Sequence, residues 1–124
     1  MDNACGSGRM LLAAHVMRPG NYCCAQDLDR VCCLMTVCNF IIHGVKGEVV
    51  CGDGLNPLDF RQGWKTNELL NILGVPSVRK MGKEESFTYI QGLSLLEKAS
   101  KQKENEAVVQ PKDDSPKCIQ LSLF

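Results

Sequence analysis

The residues of this chain best placed to do chemistry sit in three short polar turns. The first is Asp2-Asn3-Ala4-Cys5-Gly6-Ser7-Gly8, and it runs directly into the helix-forming stretch Arg9-Met10-Leu11-Leu12-Ala13-Ala14. Gly6 and Gly8 have no Cβ, so a ligand can approach the backbone closely there. The N–H groups of the helical turn that follows point into the same space. The second turn is Ala25-Gln26-Asp27-Leu28-Asp29 and the third is Gly52-Asp53-Gly54-Leu55. Each of these places a carboxylate just beyond a short apolar run. That is the position from which it can accept hydrogen bonds from a ligand, or cap the strand end.

The elements around these turns follow from periodicity. Ser7 to Met17 reads as a helix, with Met10, Leu11, Ala14 and Met17 on one face, stopped by Pro19-Gly20-Asn21. Tyr22 to Ala25 has strand length. A second helix starts with Asp29 as N-cap and ends at His43-Gly44, with Gly44 past its last turn. It is apolar over most of its surface, so it is expected to be well buried. Glu48 to Cys51 is the next short strand. The order loop, helix, strand, helix, strand argues for βαβ units and a parallel sheet. Ligands of such sheets bind beyond the carboxyl ends of the strands, and all three polar turns fall at that edge. Beyond Leu55, residues 56–61 read as a turn, 63–73 as a short helix closed by Gly74, and 75–79 as a short strand. Residues 84–103 read as an amphipathic helix and 108–117 as a Pro-containing charged linker. The expected division is 1–82, 83–106 and 107–124.

With 124 residues the chain makes one domain at most. Its 14 basic and 14 acidic side chains balance, which gives no electrostatic argument for strong nucleic-acid binding by this chain alone. The eight cysteines read as reduced thiols of a cytoplasmic protein. No secretory leader pattern precedes them, and three lie inside the second helix as small hydrophobes. No CxxC occurs and the Cys/His spacing matches no zinc site, so no metal is expected. No apolar run reaches the ~18 residues of a membrane span. His15, His43 and Trp64 read as structural or packing residues.

The three turns together resemble the N6-adenine DNA methyltransferases, in particular the modification subunits of restriction systems. Asp2-Asn3-Ala4-Cys5-Gly6-Ser7-Gly8 is similar to that family's first motif, with Asn3 where a proline is usual. Asp27 resembles the acidic residue that meets the ribose of S-adenosylmethionine, and Asp53 resembles the acidic residue near the cofactor adenine. The resemblance spans residues 2 to 55. It implies a Rossmann-like α/β fold with a mostly parallel sheet, and cofactor binding by Asp2, Ala4, Gly6, Gly8, Asp27 and Asp53. A strand-end carboxylate that accepts from both ribose hydroxyls is a common nucleoside clamp.

The family's catalytic loop, a polar residue followed by two prolines and an aromatic, has no counterpart. Pro19, Pro57, Pro76, Pro111 and Pro116 are never adjacent, and Asn56-Pro57-Leu58-Asp59-Phe60 is the nearest imitation. No catalytic residue is therefore assigned. The family's apolar first strand would lead into Asp2, where only Met1 stands. The expectation is a cofactor-binding segment of a longer or split DNA-acting enzyme, inactive alone, whose first strand comes from an upstream segment or a partner.

The terminus Gln120-Leu121-Ser122-Leu123-Phe124 resembles the pentapeptide that binds the bacterial sliding clamp. That resemblance implies a clamp contact through Gln120, Leu121, Leu123 and Phe124. It supports an alternative role as a non-catalytic mobile-element adaptor.

Overall fold

The computed structural model describes residues 1–108, and the side chains of residues 1–105. The clamp-like residues Gln120, Leu121, Leu123 and Phe124 lie outside them. The described chain is an α/β structure. Helix α1 (Arg9–Met17) leads to strand β1 (Cys23–Asp27), helix α2 (Arg30–Ile42) and strand β2 (Gly47–Cys51). Strand β3 (Gln62–Thr66), helix α3 (Leu70–Leu73) and strand β4 (Val78–Met81) follow. A 3₁₀ turn, Lys83–Glu85, then leads to helix α4 (Phe87–Val108). The strands form one sheet in the order β1-β2-β3-β4.

The first half follows the sequence pattern. Asp29 Oδ1 accepts from the Val31 N–H at 2.8 Å and starts α2. Gly44, at φ 67°, lets the chain turn off α2 in the left-handed conformation. β1 and β2 pair in parallel, with Ala25 opposite Val49. Asp2 extends this arrangement on the outer edge of β1. It forms a parallel bridge to Ala25, donating its N–H to Cys24 O at 2.9 Å and accepting from Gln26 N at 2.8 Å.

The second half departs from expectation. The sheet is not mostly parallel, because β2–β3 and β3–β4 are both antiparallel. Residues 63–73 do not form one helix: Gln62–Thr66 is strand and only Leu70–Leu73 is helical. Trp64 decides this. It lies opposite Val49 and is buried in the core with Ala25, Val37 and Phe40. A helix would have to take its ring away from that cluster, so burial overrides local periodicity. Asn67 then ends β3. It is the only described non-glycine residue at positive φ, 56°, and its Nδ2 donates to Phe40 O and Val45 O at 2.8 and 2.9 Å. One side chain thereby ties the end of α2 and the start of β2 to β3. The helix α2 is also less buried than its composition suggests. Cys33, Thr36, Val37 and Phe40 face the sheet, while Val31, Met35 and Ile42 are exposed.

The two faces of the sheet are covered by different means. α2 packs across β1 and β2 in an apolar core that includes Cys23, Ala25, Val49 and Cys51. On the other face α4 is anchored by a polar residue. Glu48, fully buried in β2, accepts from the Ser86 and Thr88 hydroxyls at 3.0 and 2.9 Å. It also accepts from the Phe87 and Thr88 N–H groups at 3.1 and 3.0 Å. These are orphan donors of the first turn of α4, capped here by a carboxylate from another element. Tyr22 adds its hydroxyl at 3.2 Å.

Glu48→Leu leaves four donors of the α4 start, three of them buried, without this acceptor. Each such group costs about 1–3 kcal/mol, so the urea midpoint is expected to fall by the equivalent of roughly 3 kcal/mol or more. An unchanged midpoint would refute the anchoring role. Tyr22 supplies a pH test. Burial, and secondarily the Glu48 charge, raise its phenol above the ordinary value of 10.0. A raised folded value means the stabilisation is present below pH 10 and is lost as pH rises above it. Unfolding free energy should therefore decline with pH above about 10, with a shallower decline in Tyr22→Phe.

Candidate functional site

The glycine turn ahead of α1 is shaped by side chains from two other elements. Gly8 N donates to Cys5 O at 2.8 Å to close the turn, and Gly6 and Gly8 take φ of 54° and 79°. Both angles lie in the left-handed region that glycine enters without strain. Asp27 Oδ2, at the end of β1, accepts from the Gly6 N–H at 2.9 Å. From α2, the Thr36 hydroxyl donates to Gly6 O at 2.9 Å and Asn39 Nδ2 donates to Ser7 O at 2.8 Å. Thr36 and Asn39 are three residues apart, so they share a helix face. The two glycines have different reasons to be there. A Cβ on Gly6 would meet open space, whereas one on Gly8 would lie 2.8 Å from Thr36 Cγ2. Gly8 is thus required by packing against α2.

Asp27 is the junction of the site. Its Oδ1 accepts from the Asp29 N–H at 2.9 Å while its Oδ2 holds Gly6. Each carboxylate oxygen has a second acceptor position left. Asp53 is positioned by its own loop. Its N–H donates to Asp59 Oδ2 and its Oδ1 accepts from Leu55 N, both at 2.9 Å. That loop is braced internally, for Asn56 Oδ1 accepts from Leu58 N at 3.1 Å and Asp59 pairs with Arg61 at 3.2 Å. Asn56 and Asp59, the polar residues of the proline-loop imitation, are thereby occupied as turn acceptors.

A cavity of about 390 Å³ opens at this strand-end rim, lined by Asn3, Ala4, Asp27, Leu28, Asp53, Gly54 and Leu55. Its size falls in the ~300–1,000 Å³ range of small-molecule sites. Of the residues expected to bind a cofactor, Ala4, Asp27 and Asp53 line it, while Asp2, Gly6 and Gly8 do not. Asp2 Oδ1 instead accepts from the Ala4 N–H at 3.1 Å and shapes the wall. Sequence reasoning missed Asn3, Leu28, Gly54 and Leu55 as lining residues. The Asp53-Gly54 pair was the available signal, since a Cβ on Gly54 would stand 2.9 Å from Asn3 Cβ. Only glycine lets the third turn close against the first.

The electrostatics of the rim are one-sided. Among the described residues two carboxylates line the cavity and no Lys, Arg or His does. Behind it, burial raises the Cys5 thiol above its ordinary value, and the nearby Asp27 and Asp2 charges add to the rise. Cys33 is pushed up to about 12, first by burial and then by the adjacent Cys51 and Cys5. Such thiols stay protonated near neutral pH and are poor nucleophiles. Carboxylates at such a rim can accept from a hydroxyl or attract a cationic group, and neither Cys5 nor Cys33 is an activated thiol.

No family model, no curated protein and no solved structure matches this chain.

Gly8→Ala should destabilise the fold by about 1–3 kcal/mol, combining the left-handed φ with overpacking against Thr36. Adding Thr36→Ser, which keeps the hydroxyl and removes Cγ2, should recover the steric share. Thermal denaturation of the single and double variants measures both. Full additivity of the two changes would show that the contact does not couple them.

Proposed function

We propose that the chain is the S-adenosylmethionine-binding part of a Rossmann-like methyltransferase acting on adenine in DNA. The observation that carries this reading is the convergence of Asp27, Asp53 and, from the 2–8 turn, Asn3 and Ala4 on one cavity, which among the described residues is lined by carboxylates and no cationic side chain. That donor set fits the group. The remaining acceptor positions of Asp27 suit a ribose diol, and an acidic rim favours a ligand carrying positive charge, as a sulfonium does. The same set is unsuited to a nucleotide phosphate, which needs N–H or cationic donors. When bound, the cofactor supplies an electrophilic methyl group.

The chain's own residues would bind and orient. Asp27 accepts from the ribose while holding Gly6, and Asp53 with Leu55 and Leu28 bounds the cofactor's base. The Asn3–Gly54 contact closes the floor between them. Positioning of this kind is the main contribution an enzyme makes to a direct displacement. The chain contains no paired prolines with which to hold a flipped base. It is therefore expected to bind the cofactor without methylating DNA by itself, and DNA would be engaged by an assembled enzyme.

Isothermal titration of the full chain with S-adenosylmethionine should show saturable binding. Asp53→Asn, which keeps the side chain's size and one acceptor, should weaken it. Asp27→Ala should weaken it at least about tenfold, the scale of a lost hydrogen bond to a charged acceptor. Absence of binding by a chain shown by circular dichroism to be folded would overturn the reading. So would binding indifferent to both variants.

A further inference from the structure

The outward side of α2 has the wrong chemistry for a helix that meets water. Cys33, Thr36, Val37 and Phe40 face the core. On the opposite side, within about 60° of one another around the helix axis, stand Val31, Met35, Cys38 and Ile42. All four are exposed, Val31 at 62 %, Met35 at 49 % and Ile42 at 75 %. That side of a surface helix is ordinarily polar or charged. From Val31 to Ile42, α2 carries no charged side chain at all. α1, which lies beside it, repeats the pattern. Leu11 enters the same core cluster, while Met10, Ala13 and Met17, spaced by three and four, are exposed. Thr36 on Gly6 O and Asn39 on Ser7 O hold the lead-in to α1 against α2, so the two helices form one layer. None of these exposed residues lines the strand-end rim.

Three observations point to a second copy of this chain as what covers the layer. The spacing of Val31, Met35, Cys38 and Ile42 is four, three, four, the same from either end. A two-fold axis between Met35 and Cys38 therefore lays an antiparallel copy on it in register, with Val31 of each copy against Ile42 of the other and Met35 against Cys38. The exposed surface of Met10, Met17, Val31, Met35 and Ile42 is on the order of 600 Å², and each side of a stable specific interface contributes roughly 600–1,000 Å². The stripe also offers no charge by which to select an oppositely charged partner, and 14 basic and 14 acidic side chains leave two copies without net repulsion.

We propose that the α1–α2 layer is a self-association surface, through which two copies of the chain pair about a two-fold axis with their α2 helices antiparallel. Sedimentation velocity of the full chain, under reducing conditions and up to about 100 µM, should show a reversible monomer–dimer equilibrium. Met35→Lys places a charge in the seam twice and should weaken dimerisation at least about a hundredfold. Met35→Leu should leave it in place. Ile42→Lys, in the exposed last turn of α2, gives the same reading if circular dichroism shows Met35→Lys to be unfolded. Alkylation of Cys38, followed by peptide mass, should slow as the dimer forms and stay fast in Met35→Lys.

A monomer at every concentration overturns the proposal. If Cys38 is then shielded, another segment of the chain covers the stripe; if the monomer binds phosphatidylcholine vesicles, lipid does. A dimer of unchanged affinity in both lysine variants also overturns it, as does a dimer in which Cys38 reacts as fast as in the monomer, because the contact then lies elsewhere. The readout is independent of the cofactor titration, so either reading can fail while the other stands.

Discussion

A single buried carboxylate determines what the second face of this molecule is. Glu48 sits in the middle of the sheet with no solvent exposure, where an unpaired charge would be strongly unfavourable. It is tolerated because the start of α4 and Tyr22 bring it five donors. The dependence runs both ways. Without α4 the carboxylate has too few partners, and without the carboxylate the first turn of α4 has no cap. The loop 52–61 then packs against the helix so placed, through Pro57 on Gly92 and Phe60 on Tyr89.

The other face is held by apolar packing, and its polar contacts serve the rim. Asp27 joins the glycine turn to the end of β1, and Thr36 and Asn39 join the same turn to α2. The turn is therefore rigidly referred to both elements of the β1-α2-β2 unit. Asp53 reaches the same place by way of Gly54, whose missing Cβ allows the third turn to touch the first. The Asn3–Gly54 contact stands between the carboxylate-lined rim and the α4 side of the sheet, to which Gln26 points.

Much of the candidate rim was legible in the sequence. Asp27 and Asp53 stand at strand ends, and that position follows from short apolar runs closed by polar residues. What was not legible was the division of labour among the glycines. Gly6 and Gly8 look alike in a turn motif, yet one faces open space and the other sits on Thr36, 28 residues further along. Gln26 carried no signal either. A lone glutamine beside an aspartate reads as part of a polar turn, and only the pairing of β1 with β2 assigns the two to opposite faces.

What the sequence determined by itself is what short-range physics controls. The N-cap at Asp29, the exit at Gly44, the strand lengths of β1 and β2 and the parallel crossover between them all depend on residues within a few positions of one another. The tertiary structure decided the rest. Gln62–Thr66 is a strand because Trp64 is buried opposite Val49, and the sheet turns antiparallel from there. Glu48 is a cap because Thr88, 40 residues away, comes to it. Asn67 is a hub because Phe40 and Val45 present carbonyls to it. In each case the choice depends on burial and on hydrogen-bond partners that the chain acquires only after it folds. No local propensity encodes a partner that distant.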